Sequence, residues 1–209
     1  MSKISLEPND SGAGTFTLAA PNSNTNRTLT LPDASGNIIA ADASTGRFDS
    51  SNMPAGSVIQ VVQTIKTDTT SFNNTSFNEI PGFTASITPT SSSNKILVLV
   101  HIHFGASDES YPAFRLFRGA TWLGQPDAGD GTGCSFGHSV NRNSSQFRLF
   151  STHYAFLDAP NTTSVVNYTV QARPMSTQTE QIFINRAITL GDANQLRATS
   201  TITAMEIAA

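Results

Sequence analysis

Apolar and polar residues alternate along most of this chain with the two-residue period of a β-strand. From Ser57 onward the alternating runs are SVIQVVQTIK (Ser57–Lys66), FNEIPGFTASIT (Phe77–Thr88), KILVLVHIHFGA (Lys95–Ala106) and AFRLFRGATW (Ala113–Trp122). They continue as QFRLFSTHYAFL (Gln146–Leu157), VVNYTVQAR (Val165–Arg173), QIFINR (Gln181–Arg186) and TSTITAMEI (Thr199–Ile207). Clusters of Pro, Gly, Asn and Ser separate the runs and mark strand boundaries. The pattern predicts an all-β chain of roughly eight to ten strands, the number expected of an antiparallel jelly-roll β-sandwich. Helical periodicity is nearly absent. The best helical stretch, Leu190–Ala198, is too short to stand without tertiary support.

The strongest strand has two unlike faces. Ile96, Val98, Val100, Ile102 and Phe104 share one side and read as sandwich core. Leu97, Leu99, His101 and His103 share the other, which is apolar at one end and imidazole at the other. A strand of a small sandwich that is apolar on both faces needs a second covering surface. A neighbouring subunit is the expected cover.

Three zones follow from the same reading. Residues 1–41 open the chain with two short alternating runs, T-F-T-L and T-L-T-L, on either side of the polar loop NSNTNR. Residues 42–56, DASTGRFDSSNMPAG, are small, polar and rich in turn formers, and read as a linker. Residues 57–209 hold the strands. Two short strands do not make a stable unit alone, so the opening segment is expected to fold against other chains.

Composition narrows the function classes. Charged residues are 13% of the 209, and net charge is −3. Without a basic block there is no electrostatic footprint for nucleic acid. The start, MSKISLEPND, has no long apolar run and is expected to be neither a secretory signal nor an anchor. The longest apolar run, Ile96–Val100, is too short to insert in a membrane. One cysteine, Cys134, allows no intrachain disulfide.

Catalytic chemistry is hard to place. Gly124–Ser145 is a long glycine-rich stretch holding Asp127, Asp130, Cys134 and His138. Its acids match no calcium loop, its glycines precede no P-loop lysine, and nothing in sequence orients Cys134 toward His138. It reads as a surface loop and as the place for receptor contact, with Tyr111 and Trp122 as nearby aromatics able to stack on sugar rings. Asp108 and Glu109 are adjacent, whereas glycoside hydrolysis needs two carboxylates facing across a cleft. No enzyme activity and no cofactor are expected. His101 and His103 form an H-x-H pair, readable either as a hydrogen-bonded interfacial pair or as metal ligands.

The segments TFTLAAP, RTLTLPDASGNI, MPAGSVIQVVQT and SSSNKILVLV together resemble virion fibre proteins of tailed phages, above all short tail fibres and related appendages. The resemblance implies a homotrimer in the virion, held to other virion proteins by an N-terminal attachment or shaft segment. It also implies an exposed C-terminal jelly-roll head, similar in build to trimeric tumour-necrosis-factor and complement-type heads, that contacts a host-surface glycan or protein. The trimer interface would then hold Phe16, Leu18, Leu29 and Leu31 in the shaft, and Leu97, Leu99, His101 and His103 in the head, where H-x-H pairs around a threefold axis could bind a metal. The alternatives are a capsid decoration or head-fibre protein and, in a different class, a surface-polysaccharide depolymerase.

Overall fold

The computed structural model describes residues 11–13, 15, 22, 24, 26, 28, 53–107, 111–127, 129, 131–139, 148–175, 180–189 and 196–209. The chain divides into two compact units, Met1–Ile38 and Ile39–Ala209. Phe16, Leu18, Leu29 and Leu31 lie outside the described residues, as do Asp108, Glu109 and Asp130.

The second unit is all-β. Its strands are β1 (Val58–Lys66), β2 (Thr70–Phe72), β3 (Asn78–Ile87), β4 (Lys95–Ala106), β5 (Pro112–Arg118) and β6 (Thr121–Leu123). They are followed by β7 (Phe136–Gly137), β8 (Phe150–Asp158), β9 (Val166–Pro174), β10 (Ile182–Ile184) and β11 (Ser200–Ile207). Each of the eight alternating runs contains a strand. The run Ala113–Trp122 yields two, because Gly119, at φ +54°, turns the chain between Arg118 and its partner Thr121. The strands β2 and β7, three and two residues long, are too short to show a period.

All pairings are antiparallel and build two sheets. In the first, β1 pairs β11, β11 pairs β4, and β8 lies along the opposite edge of β4. Beyond β11, the end of β4 pairs β10, which carries β2. The second sheet runs β3-β9-β5-β6, with β7 also on β5. The chain crosses between sheets at β3–β4–β5 and again at β8–β9–β10, an arrangement consistent with a jelly roll.

The core lies between the sheets. Ile96, Val98, Val100, Ile102 and Phe104 of β4 are buried, as their parity requires, against Phe114 and Leu116 of β5 and Tyr168 and Val170 of β9. An aromatic column reinforces one end. Phe136 stacks on Phe114 and on Tyr154 with 5.1 Å between ring centroids in each pair. Gly105 is required where β4 meets the chain after β10. A Cβ there would stand 2.6 Å from the Arg186 carbonyl oxygen.

Three buried polar groups lock the layers. Asp158, at the end of β8, accepts from Arg118 of β5 at 2.8 Å and from the Tyr168 hydroxyl of β9 at 2.7 Å, joining first sheet to second. Arg118 is therefore paired inside its own chain. Glu206 of β11 accepts from Gln60 (2.6 Å), Asn94 (2.7 Å), and the amide and hydroxyl of Thr90. Burial pushes its carboxyl upward, but these bonds outweigh burial and leave its pKa below the usual 4.5. Lys66 is buried, with its ammonium donating to Asp68 and to the Pro81 carbonyl at 2.7 Å, beside the β3 irregularity at Pro81–Gly82.

Candidate functional site

The outward face of the first sheet has a composition that solvent alone does not explain. Register sets its rows. Val61, Met205, Leu97 and Leu157 lie side by side across β1, β11, β4 and β8. The next row is Gln63, Thr203, Leu99 and Ala155, and the next is Ile65, Thr201, His101 and His153. An outward face normally repeats polar residues. Here Val61 is 55% exposed, Ile65 54%, Leu157 50% and Leu99 36%. A shallow groove of about 630 Å³ runs over this face, lined by Val61, Leu99, His101, His153, Ala155 and Met205, among others.

Imidazoles close one end. The His101 and His103 rings are 4.4 Å apart, and His153, directly across from His101, is 6.3 Å away. The His103 Nδ1 bonds the Thr199 carbonyl at 2.8 Å. Burial, then the neighbouring His103 and His153, hold the His101 pKa below its ordinary 6.5. Among the described residues, no three His, Cys, Asp or Glu side chains are arranged to hold a metal ion. The surface can pack against apolar material and add or remove positive charge at one end.

The expected receptor-loop residues do not line this groove, and their side chains have different surroundings. Tyr111 is 47% exposed, and its carbonyl accepts the Met175 amide. Asp127 is exposed. His138 packs edge-on to Phe104 at 5.5 Å and beside Phe150 at 5.3 Å, at the margin of the core. Trp122 has its ring covered by the Arg115 guanidinium at 3.9 Å, and its indole N–H donates to Ser135 Oγ at 2.8 Å. Among the described residues these four share no hydrogen bond or ring contact. The sequence reading gave Arg115 no such role. Its alternation with Phe114 and Leu116 was the available signal, placing it on the outward face of β5.

No protein-family model matches this chain, and no curated protein matches it. Among solved structures, one chain in the structure of infectious bursal disease virus, Gx strain, is similar to it, with a TM-score of 0.35 and 11% identity. The match covers 83% of this chain and 42% of that one.

Proposed function

We propose that this chain is a non-enzymatic virion structural protein, a homotrimeric appendage of a tailed phage. Residues 1–41 attach it to the particle, and the sandwich is its outward head. One observation carries the association: the open apolar rows of the first sheet. Burying one Val or Leu side chain is worth roughly 1.5–3 kcal/mol, and the row Val61–Met205–Leu97–Leu157 offers four apolar side chains side by side. A second and third copy of the same chain are the occupants that the fibre resemblance supplies. Repetition of weak host contacts over three heads raises effective concentration without any tight single site. The buried carboxylates Asp158 and Glu206 serve internal networks and are not free to act as the acid pair of a depolymerase.

Light scattering on the full chain is expected to give three copies. Leu99→Glu, at the centre of the face, should give a single folded copy with unchanged circular dichroism. A wild-type monomer with its apolar rows open to water sinks the reading. Cryo-EM of the particle separates tail from shell: density on capsomers favours the decoration-protein alternative.

A further inference from the structure

The outward face of the second sheet holds a different constellation. Arg115 projects from β5 and Arg173 from the adjacent β9. Arg115 lies opposite Gln171, and Arg173 two residues on lies opposite Ala113, so the two arginines are diagonal neighbours on one face. The Arg115 guanidinium is held between two rings, 3.8 Å over Phe77 and 3.9 Å over Trp122. Its Nε and Nη2 donate to the Gly133 carbonyl at 3.1 and 2.9 Å. Arg173 lies 5.4 Å over the same Phe77 ring.

Cations are scarce in this chain, with 12 Lys and Arg in 209 residues. Placing two of them together requires a reason. The described ion pairs are Lys66–Asp68 and Arg118–Asp158, so no described carboxylate pairs with Arg115 or Arg173. Glu79 lies in the same row, but Gln171 stands between it and Arg115. Burial and the nearby Arg173 charge both disfavour the charged form of Arg115. The aromatic sandwich fixes the guanidinium and leaves its Nη1 without a described acceptor. Arg173 has one long bond, 3.3 Å from its Nε to the Pro174 carbonyl, and its two terminal nitrogens have no described acceptor. Guanidinium groups fixed in this way match carboxylate and phosphate oxygens.

We infer that Arg115 and Arg173, framed by Phe77 and Trp122, form an oxyanion-binding site for an acidic saccharide bearing a carboxylate or phosphate group. Anion binding at this site stands on the geometry alone. That the anion is carried on a sugar rests on the host-surface reading above.

Trp122 is the only tryptophan and abuts Arg115, so its fluorescence reports the site. The full chain is titrated at low salt with glucuronate, glucose 1-phosphate, inorganic phosphate and glucose. Either acidic sugar is expected to change the signal, with an effect that weakens as salt rises, and glucose should not. Arg173→Gln should weaken binding by about tenfold, the loss of one charge-assisted contact. Gln171→Glu should abolish binding without lowering the melting temperature, because it places a carboxylate beside both cations. Silence with both acidic sugars, or unchanged affinity in both variants, overturns the site. Inorganic phosphate binding as tightly as glucose 1-phosphate makes it a free-anion site and overturns the saccharide assignment. Light scattering on the same samples keeps the two proposals separate. A monomer that binds sinks only the trimer, and a trimer that does not bind sinks only the site.

Discussion

The outward face of the first sheet carries Val61, Met205, Leu97 and Leu157 in one continuous row, while that of the second carries Thr169, Gln171 and Arg173 along β9 beside Arg115. Both faces obey the same alternation, with Leu99 following the core residue Val98 and Gln171 following the core residue Val170. What differs is the chemistry placed on the outward set. An apolar face gains by excluding water over its whole area. A face with fixed guanidinium groups gains by trading hydration for a few directed bonds. The first is suited to a broad, self-similar partner and the second to a small charged group.

The largest expected effect tests whether the two faces depend on one body. Asp158→Ala removes the group that ties β8 to Arg118 and Tyr168. It should cost about 3–5 kcal/mol, as when one partner of a buried ion pair is removed. Urea unfolding followed by Trp122 fluorescence, which reports the second sheet, and by circular dichroism should still show one transition. Two separated transitions would mean that the sheets stand independently. Next comes Gly105→Ala, expected to cost about 1–3 kcal/mol because the Arg186 backbone must shift. Calorimetry that finds no loss would show that the β10 connection yields freely.

Smaller effects come from titration. Glu206 has a folded pKa below its ordinary 4.5, so on acidification the unfolded chain takes up its proton first. Stability from this network is complete above pH 4.5 and is lost as pH falls through the folded pKa. Glu206→Gln should flatten that loss in denaturation curves taken below pH 5, roughly the onset of carboxylate protonation. The smallest expected effect belongs to His101 on the apolar face. Its folded pKa is also lowered, so its contribution is full above pH 6.5 and declines below it. His101→Gln should remove a slight acid sensitivity near pH 6. A variant with the wild-type profile would detach the imidazole end from the behaviour of that face.

Much of the sandwich was legible in the residues. The KILVLVHIHF run announced both its faces, and the inward set is buried as its parity required. The outward Leu97, Leu99, His101 and His103 do share one surface with Val61 and Met205. The loop candidates were less legible. Tyr111, Trp122, Asp127 and His138 are near in sequence, yet their side chains have different surroundings. His138 goes to the core margin, and Trp122 goes under Arg115.

Local alternation determined by itself which residues of the long strands such as β4 and β9 face inward, because the pleat reverses side chains at every step whatever the partner strand. It also determined where strands break, through residues that supply or forbid particular backbone angles. Only the tertiary structure decided which strands lie side by side. Pairing across more than a hundred residues, as between Gln60 and Glu206, leaves no periodic trace in either segment. The joining of Val61 to Leu157 in one row, and of Arg115 to Arg173 and Phe77, depended on that long-range register.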